Sequence, residues 1–170
     1  MIYFTSDTHF GHKNIITYCD RPFASVEDMD ETLINNWNAY VKQDDFIYHL
    51  GDVAFAKAPR VREIIGRLHG QKYLIKGNHD KLSDTQFKEF GFIEVYKALT
   101  TTLEDIEITL EHIPNIDIHG VQLCGHVHNQ WRIASSPWGL NINVGVDQWD
   151  YLPVSATTII EIVRNTEQFT

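Results

Sequence analysis

The sequence predicts an α/β protein built as one domain, and three observations predict it. Apolar residues recur every second position in some short segments and at a spacing of 3.6 in others, and the two patterns alternate along the chain. Gly and Pro punctuate these segments without gathering into a linker. The length of 170 residues is that of one domain, residues 1–170, and is enough to bury a sizeable core.

Taken in order, Ile2-Tyr3-Phe4-Thr5 reads as a first strand and Phe46-Ile47-Tyr48-His49-Leu50 as a second that stops at Gly51. Between them a short helix is expected near Asn14 to Tyr18, followed by a longer one. Ser25 can cap the longer helix, and Val26, Met29, Leu33, Trp37, Tyr40 and Val41 recur at helical spacing on one face. A further helix follows Pro59, with Val61, Ile64, Ile65 and Leu68 inward and His69-Gly70 at its end. Lys72 to Ile75 is a third strand. Ile106, Ile108 and Leu110 alternate with Glu107, Thr109 and Glu111, the pattern of a half-exposed strand, which pairs with the segment from Ala98 to Leu103. Val121 to Cys124 and Leu140 to Val144 are further strands. Ser155 caps a last helix through Val163, although Thr157 to Ile160 would also suit a strand, and 165–170 is expected to fray.

The composition narrows the function classes. Hydrophobic residues make up 43% and charged residues 22%, which excludes collagen-like and disordered chains. No apolar run is long enough to cross a bilayer and no basic-then-apolar leader opens the chain, so a cytoplasmic protein with no membrane partner is expected. Cys19 and Cys124 are far apart and outside any C-x-x-C pairing, so reduced thiols are expected rather than a disulfide or a zinc knuckle. The net charge of −9 repels a phosphate backbone, which disfavours broad binding to long nucleic acid. A small phosphate ester stays compatible, because bound cations supply positive charge where the chain does not.

Short polar motifs follow the predicted strands. Asp7-Thr8-His9 follows the first, Gly51-Asp52 the second, Gly77-Asn78-His79-Asp80 the third, His112 the alternating strand, and Gly125-His126-Val127-His128 the strand from Val121. In α/β sheets, groups beyond the carboxyl ends of adjacent strands converge on one crevice. Asp7, His9, Asp52, Asn78, His112, His126 and His128 are all oxygen or imidazole donors. They are too many for one tetrahedral ion but suit two ions that share a carboxylate, for which Asp52 is the natural bridge. Imidazole with carboxylate suits two divalent transition-metal ions, Mn, Fe, Zn, Co or Ni, better than Mg or Ca.

With these motifs in this order, from about residue 3 to 147, the chain resembles the calcineurin-like metallophosphoesterase superfamily. It resembles more narrowly the small bacterial and phage members that continue the first motif as Asp7-Thr8-His9-Phe10-Gly11-His12. The resemblance implies a four-layer α/β/β/α sandwich with two mixed β-sheets. It implies one metal held by Asp7, His9, Asp52 and His128, and another held by Asp52, Asn78, His112 and His126. The departures narrow the substrate. Asp52 is followed by Val53-Ala54-Phe55-Ala56 rather than by an early Arg, and the third motif ends in Asp80 rather than Glu, both unlike the protein Ser/Thr phosphatases. In the fourth motif Glu111 precedes His112, where a Ser or Thr is more usual.

The implied activity is hydrolysis of small phosphodiesters or phosphomonoesters, nucleotide-like ones first, by metal-bound hydroxide. His79 is the candidate general acid and Asp80 the carboxylate that orients its ring. Asn78 and His12 are candidate substrate contacts, His12 having a helix cap as its equal alternative. His49, His69 and His119 match no motif and read as structural. Trp131, Trp138 and Trp149 follow the last ligand and form either a wall for a base or packing over the sheet. A metal-dependent nuclease and a non-catalytic scaffold of the same fold are the alternatives.

Overall fold

The computed structural model describes residues 1–167. In chain order its elements are β1 (Ile2–Thr5), α1 (Lys13–Tyr18), α2 (Val26–Tyr40), β2 (Phe46–His49), α3 (Ala58–Arg67), β3 (Gln71–Ile75), α4 (Asp84–Phe90) and β4 (Phe92–Tyr96). They continue with β5 (Ala98–Leu103), β6 (Ile106–Glu111), β7 (Gly120–Cys124), β8 (Ile133–Ser135), β9 (Gly139–Asn143), a 3-10 turn at Val146–Gln148, β10 (Val154–Ser155) and α5 (Ala156–Glu167).

The strands form two mixed five-stranded sheets, ordered β10-β1-β2-β3-β4 and β5-β6-β7-β9-β8. In the first, β1 to β4 run parallel and β10 lies antiparallel to β1. In the second, β6, β7 and β9 run parallel, with β5 and β8 antiparallel at the edges.

The alternation of each strand divides the core in two. Tyr3, Ile47 and Leu74 face α1 to α4 and join Met29, Leu33, Trp37, Val61, Ile64 and Phe87 in one buried cluster. Their neighbours Phe4 and Ile75 face the other way, into a second cluster with Ile108, Leu110, Leu123 and Ile142 of the second sheet and Ile159, Ile160 and Val163 of α5. The sheets therefore pack face to face.

Local signals set the helices. The Ser25 hydroxyl accepts the Asp28 N–H at 3.1 Å, a cap of about 1 kcal/mol, and Met29, Leu33 and Trp37 are buried along one stripe of α2. Tyr40, expected on that stripe, is 49% exposed because the helix ends there and the inward direction passes to Val41. Ser155 accepts the Thr158 N–H at 3.1 Å, which decides for a helix after it. That helix runs to Glu167, so 165–167 is helical where fraying was expected, and the rest of that expected tail lies outside the described residues. No helix among the described residues is long and apolar enough to cross a membrane.

Candidate functional site

Each motif residue lies just beyond the carboxyl end of a strand: Asp7 and His9 after β1, Asp52 after β2, Asn78 to Asp80 after β3, His112 after β6, His126 and His128 after β7. Main-chain bonds hold these loops together. The Asp7, His9 and Phe10 N–H groups donate to the carbonyls of Gly51, Asp52 and Val53, each at 3.0 Å, so the loops after β1 and β2 run on as a zipped pair. The Gly125 N–H donates to the His112 carbonyl at 2.9 Å, and the Val146 N–H to the Ser6 carbonyl at 3.0 Å, which ties the second sheet to β1. Both sheets thus deliver their loops to one place.

Two motif glycines are explained by close approach. A Cβ on Gly125 would stand 2.0 Å from Ser6 Oγ and 2.4 Å from Asp7 Oδ2, and one on Gly77 would stand 2.3 Å from Asp52 Oδ1. The backbone must come this near so that the His126 N–H can donate to Asp7 Oδ2 at 3.0 Å and the His79 N–H to Asp52 Oδ1 at 2.8 Å. Asp7, His9, Asp52, His126 and His128 all have φ between 47° and 69°, a region that costs non-glycine residues about 1–2 kcal/mol each. Strain of this kind persists where surrounding contacts over-determine it, and here it falls on five of the seven donors singled out.

The side chains converge. Asp52 Oδ2 lies 3.6 Å from His9 Nε2 and 3.4 Å from His112 Nε2. Asp7 Oδ1 lies 3.9 Å from His9 Nε2 and 3.8 Å from His128 Nε2. Asn78 Oδ1 is 3.0 Å from His112 Nε2 and 3.1 Å from His126 Nδ1. Among the described residues, the donor atoms of Asp7, His9 and His128 gather within 4.8 Å of one another, as do those of Asp7, Asp52 and His112. Asp7 thus stands in both groups, more central than the assignment to a single ion implied. His9 supplies the test of fit: it is 2% exposed, yet neither ring nitrogen has a hydrogen-bond partner. An unpartnered buried imidazole between two carboxylates is costly as a bare side chain and suited to a cation as a ligand.

Burial pulls the His9 pKa down to about 3, so the ring is neutral with a free lone pair. Burial pushes the Asp52 carboxyl up, but the His112 hydrogen bond and charge and the His79 N–H prevail and hold it below the usual carboxylate range. Asp7, fully buried, is raised by desolvation against the pull of His112 and His128.

Neighbouring acceptors set the histidine tautomers. The His112 Nδ1–H donates to the Leu50 carbonyl at 2.6 Å, which aims Nε2 at Asp52 Oδ2 and Asn78 Oδ1. Burial lowers the His112 pKa, but the hydrogen bond to Asp52 and the charges of Asp7 and Asp52 outweigh it and raise the ring above its usual value. The His128 Nδ1–H donates to Asp147 Oδ2 at 3.1 Å, leaving Nε2 for the side of Asp7. Burial lowers the His128 pKa, but the bond to Asp147 outweighs it and lifts the ring to about 10.

Asp147 and its partner Arg21 are the residues that sequence reasoning missed. Arg21 grips Asp147 through Nε at 2.8 Å and Nη2 at 2.9 Å. The same guanidinium donates to the carbonyls of Asp7 at 2.7 Å and Thr8 at 3.1 Å. One buried cation therefore fixes the strained backbone at Asp7 and, through Asp147, the ring of His128. Cys19 borders the same spot, its sulfur within 4.8 Å of the donor atoms of His128 and Asp147, and it is a buried free thiol.

Other expectations meet a different geometry. Asp80 was expected to orient the His79 ring. Instead its Oδ2 accepts the N–H groups of Asp52 and Gly77, each at 2.8 Å, and its Oδ1 that of Val53 at 2.9 Å, so it clamps two loops together. His12 stands at the N-cap position of α1, but its side chain makes no cap bond; its ring stacks on Phe55 at 4.5 Å and lies 5.4 Å from the His9 ring. His49 is buried beneath the site, its Nε2 2.9 Å from Thr8 Oγ1. The tryptophans divide. Trp149 donates its Nε1–H to the Asn143 carbonyl at 2.8 Å and lies under Arg132, whereas Trp138 is 63% exposed and packs near His119.

Comparison with known proteins agrees with this arrangement. A family model described as calcineurin-like phosphoesterase matches residues 1–153. The chain is 40% identical to an uncharacterized protein of Methanocaldococcus jannaschii, over 96% of this chain and 91% of that protein. It is 26% identical to the gene 66 protein of Mycobacterium phage L5, over 98% of this chain and 95% of that protein. A crystal structure of a protein of unknown function from Aquifex aeolicus superposes with a TM-score of 0.74 at 28% identity, over 96% of this chain and 99% of that chain. With the strand-end carboxylates and imidazoles placed as they are, the chain belongs to the calcineurin-like phosphoesterases, a metal-dependent family of hydrolases.

Proposed function

We propose that the chain, acting as one domain, hydrolyses small phosphodiesters or phosphomonoesters, nucleotide-like ones first, at a pair of divalent transition-metal ions with manganese preferred. Asp7, His9, Asp52 and His128 would hold one ion, and Asp52, Asn78, His112 and His126 the other. The observation that supports this best is Asp52 Oδ2, a buried oxygen 3.6 Å from a nitrogen of the first set and 3.4 Å from one of the second. Ions bound there would lower the pKa of water and neutralise the phosphoryl oxygens.

The chain's own groups supply the rest. His79 is exposed, its backbone N–H donates to Asp52 Oδ1 at 2.8 Å and its ring lies 5.9 Å from that of His9, from where it can give a proton to the departing oxygen. Asn78, also exposed, lies 3.0 Å from His112 Nε2, and the His12 ring lies 5.4 Å from that of His9; both would contact the phosphoryl group. Asp80 acts at one remove, by fixing the loops that carry Asp52 and His79.

Hydrolysis of nitrophenyl phosphodiesters and the matching monoester, with and without Mn²⁺, tests the reading. Metal-dependent turnover that disappears in Asp52→Asn is expected. Folded protein inert with every transition metal would contradict it, and cleavage of long single-stranded DNA would point to a nuclease instead.

A further inference from the structure

Beside His79 opens a cavity of about 330 Å³ lined by Ala54, Phe55, Ala56, Val61, Leu82 and Phe87. The volume is at the small end of ligand pockets, enough for one ring system and its linker. Lys81, which also borders it, is turned away, its Nζ donating to the Asn78 carbonyl at 2.7 Å. Asp80 is spent on three main-chain amides. Lys57, exposed at the start of α3, borders it too, so the cavity is walled mainly by apolar side chains with His79 and Lys57 as its polar edges.

Phe55 is 53% exposed, unusual for a phenyl ring beside a polar centre, yet it is held in place: its ring stacks on His12 at 4.5 Å and meets His79 edge-on at 6.3 Å. A rigid, half-bare aromatic face on a mainly apolar cavity is a stacking platform, and flat rings gain more from it than alkyl groups do.

We propose that this cavity receives the leaving group of the phosphate ester and that this group carries a flat aromatic ring. The proposal rests on the phosphoesterase reading above, and adds to it the side on which the ester departs and the chemistry of what departs. In the step, water adds oxygen to phosphorus and the P–O bond to the ring-bearing group breaks. Its electron pair goes to the departing oxygen, which takes a proton from His79, and the proton lost by the water restores the imidazolium.

Affinity, measured by titration calorimetry on Mn²⁺-loaded protein, tests this without turnover. Phenylphosphonate should bind about tenfold more tightly than methylphosphonate, the scale of stacking and burying one ring. Phe55→Ala should cut that preference to less than about threefold, while Phe55→Tyr, which keeps the face, should retain it. The phosphonate analogue of adenosine 5′-phosphate separates the sources: binding as tight as phenylphosphonate or tighter identifies a nucleoside, and weaker binding a small aryl alcohol. Equal affinity for phenyl and methyl, or a preference indifferent to Phe55→Ala, would overturn the pocket and leave the phosphoester site standing. Failure of both phosphonates to bind would overturn both.

Discussion

Replacing Arg21 with methionine removes one guanidinium from beneath the site, and the structure sets the scale of the effect. The Arg21 side chain is 0% exposed and that of Asp147 2%, so their bidentate pair is cut off from water. Removing one partner of such a pair costs about 3–5 kcal/mol, because the other charge is left buried. The Asp7 and Thr8 carbonyls each lose a charged donor as well, roughly 1 kcal/mol or more apiece. His128 still donates to Asp147 and offsets part of this. The expected net loss is about 3–5 kcal/mol, read as a lowered urea midpoint at unchanged m in the presence of a chelator. Arg21→Lys keeps the charge without the fork and should fall between wild type and methionine. In folded protein, Asp147→Asn should weaken Mn²⁺ binding about tenfold or more, since it loosens the acceptor that holds the His128 tautomer. A loss under about 1 kcal/mol in Arg21→Met, with unchanged Mn²⁺ affinity in Asp147→Asn, would refute the idea that this buried pair organises the site.

Further outcomes follow from single contacts. Gly125→Ala places a methyl 2.0 Å from Ser6 Oγ, so the loop must shift; Mn²⁺ titration should show affinity reduced at least about tenfold, and unchanged affinity would count against the close approach. His79→Ala should keep its metal content and lose activity steeply for poor leaving groups but mildly for nitrophenol, whereas equal losses across leaving groups would remove its role as an acid. His49, buried with a pKa of about 3 against 6.5 when unfolded, binds its proton only in the unfolded chain between those values. Its contribution therefore lowers stability as pH falls from 6.5 toward 3, by at most about 1.4 kcal/mol per unit. Urea midpoints from pH 6.5 to 4.5 in chelator should fall less steeply in His49→Gln, and parallel curves would contradict this.

Much of this molecule is legible in its sequence because strand alternation and helix periodicity are local. The pairing of Ala98–Leu103 with Ile106–Glu111 and the cap at Ser25 were both readable, and the structure contains both. The pair α4 and β4 was overlooked although a signal was present: Ser83 and Gln86 form a capping box, and Gly91, at φ 126°, ends the helix. The edge strands β8 and β10 have three and two residues, too few for a period to show. At the site, the donors stand in recognisable motifs, but what supports them does not. Arg21 and Asp147 are 126 positions apart and meet only because the 3-10 turn after β9 folds back on the loop after α1. Asp80, adjacent to His79 in sequence, was read as its partner, but the tight turn sends its carboxylate to the amides of Gly77, Asp52 and Val53. Neighbours in sequence are only one source of neighbours in space.

The most direct test counts ions. Protein stripped with chelator, reloaded with Mn²⁺ and freed of excess should hold two equivalents per chain by elemental analysis, and Asp52→Asn one or fewer. A wild-type chain that retains one equivalent or none, or an Asp52→Asn chain that still retains two, would contradict a centre joined by that carboxylate.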